Sequence, residues 1–145
     1  MASNEQSKQD SGLVLTVILV FLGGAVGATI RELLMLWVPT GRDGFPYSIF
    51  VANIVASFVL GMVNGLHSHG AIGTRANLFV GTGLTGGMST FSSFVYATFV
   101  LLTTSTIGLS VGLLYAVLSL LIGFVAVLLG LRAGEMLSRQ SDGGT

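Results

Sequence analysis

Gly81-Thr82-Gly83-Leu84-Thr85-Gly86-Gly87-Met88-Ser89-Thr90 packs four glycines and four hydroxyl residues into ten positions, with apolar sequence on both sides. Inside a helix each glycine costs up to about 1 kcal/mol relative to alanine, so this stretch is expected to unwind. Non-helical backbone at membrane depth survives only where protein covers it or it lines a polar cavity, because an unmet carbonyl in lipid costs several kcal/mol. Broken membrane helices commonly aim free carbonyls at a cation and helix N-termini at an anion. An ion-binding element is therefore expected here, and a simple glycine packing kink is the alternative.

The flanking sequence makes this a membrane segment. Of 145 residues, 52% are hydrophobic and 8% charged, against roughly 25% charged in a soluble domain. Twenty uncharged residues separate Asp10 from Arg31, 31 separate Asp43 from Arg75, and 56 separate Arg75 from Arg132. A crossing takes about 20 apolar residues, so the first two gaps hold one span each and the third holds two. The expectation is an all-α integral membrane protein with four transmembrane helices, at about 11–38, 46–67, 74–103 and 107–137, the third broken at its Gly-rich segment. They form a single membrane domain over 11–137, with mobile polar tails at 1–10 and 138–145.

Several classes drop out. Six Lys and Arg balance six Asp and Glu, which leaves no basic field for nucleic acid. Zero cysteines exclude disulfides, zinc ribbons, iron–sulfur clusters and thiol nucleophiles. A cleaved signal peptide is the rival reading of the first span, with Ala25 and Ala28 among small residues. The apolar run is longer than a usual signal core, and the preceding residues carry Glu5 and Asp10 against Lys8 alone, so the first helix is expected to stay. Lys8, Arg75, Arg132 and Arg139 fall on one side and Arg31 and Arg42 on the other, a weak bias towards cytoplasmic termini that leaves the opposite insertion open.

Small residues recur four apart: Gly23 and Gly27, Gly24 and Ala28, Gly112 and Ala116, Ser119 and Gly123, Ala126 and Gly130. That spacing lets helices approach closely in lipid, where packing drives association. Four short helices with such faces point to an oligomer, although membrane helices are rich in glycine in any case.

Polar and aromatic residues mark a route. Phe91 and Phe94, just after the Gly-rich stretch, share a helix face with Thr98 a turn beyond. Such a pair is usually packing, yet a phenyl edge is electropositive and accepts a small anion. Asn53, Ser57 and Asn64 share one face of the second span, and Tyr115 and Ser119 stand four apart in the fourth. These side chains either bond neighbouring helices or line a water-filled path, Asn53 being the deeper amide. Arg31, in the outer part of the first span, either snorkels or draws anions to a vestibule. No carboxylate lies near the middle of a span, where proton-coupled exchange normally needs one. His67 and His69 lie in a polar turn with too few neighbours for a metal site.

Three motifs in order, Gly23-Gly24-Ala25-Val26-Gly27-Ala28 leading to Arg31, Asn53-Ile54-Val55-Ala56-Ser57-Phe58 with Gly61, and Gly83 through Phe94, resemble the successive signatures of the Fluc (CrcB) fluoride channels. The resemblance runs from about Gly23 to Gly130. It implies a four-span subunit in the cell membrane that dimerises in antiparallel orientation, with two fluoride pathways and a structural sodium ion at the interface. Asn53 then matches the pore asparagine, and Phe91 and Phe94 the two ring-edge ligands, with Thr90 between the break and the rings. Gly86 and Ser89 match the residues whose backbone carbonyls hold sodium. Tyr115 and Ser119 resemble the residues that continue the anion path, and Arg31 matches the basic residue closing the first motif.

This chain has Ser89 and Ser93 where the family usually has threonine, Ala56 where it has glycine, and Met88 where phenylalanine or leucine is common. A serine still offers its carbonyl to sodium. Some members pair two different subunits, so the resemblance leaves homodimer and paralogous heterodimer both open. The resulting expectation is a non-enzymatic channel that lets fluoride leave the cytoplasm passively. The alternative is a dual-topology exporter of the small multidrug type, which the lack of a mid-span glutamate in the first helix disfavours.

Overall fold

The computed structural model describes residues 2–38, 45–104 and 106–142, so Arg42 and Asp43 lie outside the described residues. Among these the chain is entirely helical apart from short turns. Helix α1 covers Ala2–Trp37, α2 covers Tyr47–Ser68 and α6 covers Thr106–Asp142. All three contain stretches long and apolar enough to cross a membrane, at Asp10–Trp37, Tyr47–Ser68 and Gly108–Gln140. Helical backbone reaches beyond the expected span ends to Ala2 and Asp142, through polar sequence rich in good helix formers such as Glu, Gln and Arg. Pro46 stands at the N-cap of α2, where a missing N–H costs nothing. After α2 the chain turns at Gly70, whose φ of 76° suits a residue without a side chain.

The third segment is built from pieces. Helix α3 (Thr74–Ala76) runs into wide π-helical turns over Asn77–Leu84 and then α4 (Thr85–Met88), making one half-helix over 74–88. Ser89 is extended, with φ −73° and ψ 149°, and α5 (Phe91–Thr104) restarts the helix. At about 1.5 Å per residue each half reaches only about 20 Å, short of the roughly 30 Å hydrocarbon core.

The interruption is therefore narrower than the sequence suggests. Unwinding expected across Gly81–Thr90 is confined to Ser89 and Thr90, and the glycines before them remain helical, Gly83 and Gly87 being packed against α1. A Cβ on Gly87 would stand 2.2 Å from the Gly24 carbonyl oxygen, and one on Gly83 2.8 Å from that of Val20. The same contact seen from α1 puts a Cβ on Gly23 2.2 Å from the Phe79 oxygen and one on Gly27 2.0 Å from the Leu84 oxygen. Backbones in van der Waals contact leave no room for the chain to swing out, and π turns, rare in general, are frequent near functional sites.

A second pair of helices meets in the same way. On α2, Cβ atoms at Gly61 and Gly65 would stand 2.1 Å from the Val127 oxygen and 2.4 Å from the Leu131 oxygen. On α6, Cβ atoms at Gly130 and Gly134 would stand 2.0 Å from the Phe58 oxygen and 2.2 Å from the Met62 oxygen. Reciprocal glycines four apart interlock the two helices in the way small residues do in lipid. Helix α5 then packs on α6 through Ala97, Leu101 and Tyr115, with Phe45, Phe50 and Phe94 around them. Large apolar side chains such as Phe21, Leu120 and Phe124 stay exposed, as befits surfaces facing lipid or another subunit.

Gly130→Ala is expected to destabilise the subunit by about 1–3 kcal/mol, the usual cost of overpacking, and Gly73→Ala, with open space around it, to leave stability nearly unchanged. Thermal unfolding of the purified protein in detergent compares the two.

Candidate ion pathway at the helix break

The break is held by a side chain from another helix. Asn53 of α2 turns its amide onto the main chain of Thr90: the Thr90 N–H donates to Oδ1 at 2.8 Å, and Nδ2 donates to the Thr90 carbonyl at 3.4 Å. The N–H of Thr90 can only donate, which orients the amide. Thr90 also caps α5, its hydroxyl accepting from the Ser93 N–H at 3.2 Å and donating to the Ser93 hydroxyl at 3.0 Å.

These bonds decide which carbonyls are free. In an uninterrupted helix the Gly86 carbonyl would accept from the Thr90 N–H, and the Ser89 carbonyl from the Ser93 N–H. The first donor is taken by Asn53 and the second by the Thr90 hydroxyl, and no other hydrogen bond reaches either carbonyl among the described residues. Gly86 also has open space beside it, with nothing within 4 Å of a Cβ placed there. Carbonyl oxygens without a hydrogen-bond donor are the kind of hard ligand that a small cation takes, provided that further oxygens come from elsewhere. The Gly87 carbonyl is served differently: the Arg31 guanidinium donates to it at 3.3 Å, at the C-terminal end of the half-helix, where a cation is favoured.

Beside the break lies a cavity of about 370 Å³. Asn53, Ser57, Ser89, Thr90, Phe94 and Ser119 give it a polar and aromatic wall, and Phe91, Leu120, Gly123, Phe124 and Val127 complete the lining, with no ionisable side chain among them. Phe91 is 78% exposed at its edge, with its ring centroid 6.1 Å from that of Phe94. Phe94 in turn lies 5.5 Å from the ring of Tyr115, which meets Phe45 edge-on at 5.4 Å.

Of the residues singled out in the sequence, Asn53, Ser89, Thr90, Phe91, Phe94 and Ser119 come together at this cavity. Tyr115 lies behind Phe94, fully buried, and neither its hydroxyl nor that of Ser119 has a hydrogen-bond partner of good geometry. Arg31 and Gly86 stand at the break but outside the lining, and Asn64 is exposed on another part of α2. His67 donates from Nδ1 to the Ile72 carbonyl at 3.0 Å and so closes the turn after α2. Gly123 is the lining residue that sequence reading treats as packing alone; its place one turn after Ser119 is the signal that puts it on the same face.

The chain matches the profile of the family described as CrcB-like protein, Camphor Resistance (CrcB), over residues 18–131. It belongs to the CrcB family. Curated relatives of this CrcB chain include the fluoride-specific ion channel FluC 3 of Yersinia pseudotuberculosis, 50% identical over 118 residues that make up 81% of this chain and 87% of that protein. A fluoride-specific ion channel FluC of Thermus thermophilus is 40% identical over 121 residues, 83% of this chain and 94% of its own length. FluC 2 of Brucella melitensis is 45% identical over 119 residues, 82% of this chain, although the match spans only 44% of that longer protein. Family and long apolar helices agree on a multi-pass membrane protein.

Asn53→Asp tests the clamp. A carboxylate still accepts from the Thr90 N–H but repels the Thr90 carbonyl, whereas the neutral acid supplies an acceptor and a donor as asparagine does. Ion flux through reconstituted Asn53→Asp protein is expected to be at least tenfold below wild type at neutral pH and to recover partly as the pH falls towards the acid's pKa.

Proposed function

We propose that this chain is a subunit of a passive, fluoride-selective channel that releases fluoride from the cytoplasm. The observation that carries the reading is the uncharged cavity at the break, where hydroxyls, an amide and phenyl edges converge without an ionisable group. Fluoride is small and strongly hydrated, so entry demands replacement of its water by compact donors. Hydroxyl O–H groups and ring hydrogens supply such donors, and a weak, multi-site path lets the ion leave again. The names of the relatives support the choice of ion. The role is transport rather than catalysis, and none of these residues is asked to make or break a bond.

In this reading the half-helices 74–88 and 91–104 together form a fourth crossing, and two copies assemble in antiparallel orientation. The bare carbonyls of Gly86 and Ser89 meet the same pair from the second subunit around a structural sodium ion. Sodium would satisfy four oxygens at once and tie the subunits together; its role is structural. The open side of the cavity at Phe91 and Phe124, both largely exposed, is where a second subunit would complete the wall. A paralogous chain could serve as that partner in place of a second copy.

Liposomes holding the purified protein are expected to release fluoride rapidly with little chloride flux; comparable rates for the two ions would overturn the reading. Phe91→Ile and Phe94→Ile keep apolar bulk but remove the ring edges, so fluoride flux should fall at least tenfold while the fold persists. For the cation, Ser89→Ala should assemble and conduct nearly normally, since only the carbonyl is needed. A Cβ at Gly86 has nothing within 4 Å among the described residues, so Gly86→Val should fold as a subunit and lose the dimer on size-exclusion chromatography. Loss of the dimer in Ser89→Ala with retention in Gly86→Val would replace the carbonyl site by side-chain ligation or packing.

A further inference from the structure

We infer that the Ser57 hydroxyl is a fluoride-contacting donor of the pathway, acting from α2 opposite Ser119 of α6; this rests on the fluoride reading above. Hydroxyls in membrane helices usually bond back to the carbonyl four residues earlier. This chain does so repeatedly: Thr16 to Gly12 at 3.0 Å, Thr29 to Ala25 at 2.9 Å, Thr98 to Phe94 at 2.8 Å and Thr103 to Phe99 at 2.9 Å. Ser57 departs from this habit, and its hydroxyl makes no hydrogen bond among the described residues.

Its position is known from its neighbour. A Cβ on Gly123 would stand 3.6 Å from the Ser57 Oγ, ordinary van der Waals contact, so the hydroxyl lies beside Gly123 of α6 on the wall of the cavity that both residues line. Ser119, one turn before Gly123, lines the same cavity with a buried hydroxyl that has no partner of good geometry. Hydroxyls from two facing helices therefore line one cavity.

Asn53, one turn before Ser57, is the more obvious polar residue on this face, but both ends of its amide are engaged by the Thr90 main chain. That leaves Asn53 one N–H of its Nδ2 group, and Ser57, one turn on, adds a hydroxyl donor from α2 that no main-chain group has claimed. A hydroxyl facing a cavity at membrane depth lacks the carbonyl that would normally satisfy it, and an anion with high charge density is the ligand that gains most from a short O–H donor. Chloride, larger and more weakly bound by such donors, gains less, so Ser57 also contributes to selectivity.

The test uses full-length wild type, Ser57→Ala and Ser57→Cys in liposomes, with fluoride efflux read by an ion-selective electrode and thermal unfolding in detergent read alongside. Ser57→Ala should conduct at least tenfold more slowly than wild type with an unchanged unfolding temperature. Ser57→Cys, which preserves shape but weakens the donor, should also be slowed and covers the case in which the alanine variant fails to fold. Wild-type efflux in a folded Ser57→Ala or Ser57→Cys protein would overturn the role of Ser57 and leave the fluoride reading standing. Absence of fluoride efflux from wild type itself would overturn both.

Discussion

Two hydrogen bonds between the Asn53 amide and the main chain of Thr90 decide where the third segment stops being helical. In lipid, a non-helical step needs another partner for every N–H and C=O it releases. The Thr90 carbonyl is already met by the Phe94 N–H at 3.3 Å; Asn53 adds a second donor to it and, by accepting from the Thr90 N–H, takes the donor that Gly86 would have used. The Thr90 hydroxyl repeats the exchange one turn later by taking the Ser93 N–H from Ser89. Two carbonyls left without a donor, and a capped helix N-terminus beside a hydroxyl-lined cavity, follow from this single rearrangement of donors.

That arrangement depends on where the helices stand. Because lipid offers no hydrophobic drive between helices, their spacing must come from close packing. Glycine contacts of α1 with the half-helix 74–88, and of α2 with α6, bring backbones to distances no side chain would permit. The first contact sets Arg31 over the end of the half-helix, where it donates to the Gly87 carbonyl. The second sets Ser57 across from Gly123 and Ser119. Glycine thus serves close approach in this chain more than it serves flexibility.

Much of this was legible in the sequence, for physical reasons. Charge-free stretches reveal spans because charge is excluded from hydrocarbon, and the observed helices Tyr47–Ser68 and Thr106–Asp142 begin within a residue of the expected spans. Asn53, Thr90, Phe91 and Phe94 stood out because polar or clustered aromatic residues are rare at membrane depth, and the cavity gathers all four. The extent of the break was not legible. Helix propensity counts each glycine as a cost, but Gly83 and Gly87 are committed to contact with α1, which propensity cannot see. Nor could sequence show that Asn53 spends its amide on backbone while Ser57, a less conspicuous residue, keeps its hydroxyl free.

Amide-resolved hydrogen exchange of the wild-type protein in detergent or nanodiscs tests the central interaction directly. If Asn53 holds the break, the Thr90 N–H should exchange as slowly as amides in the middle of α5, although Thr90 is not helical. Exchange of Thr90 as fast as an unprotected loop would contradict the account, since the donor would then be free and the Gly86 carbonyl would have no reason to stand bare.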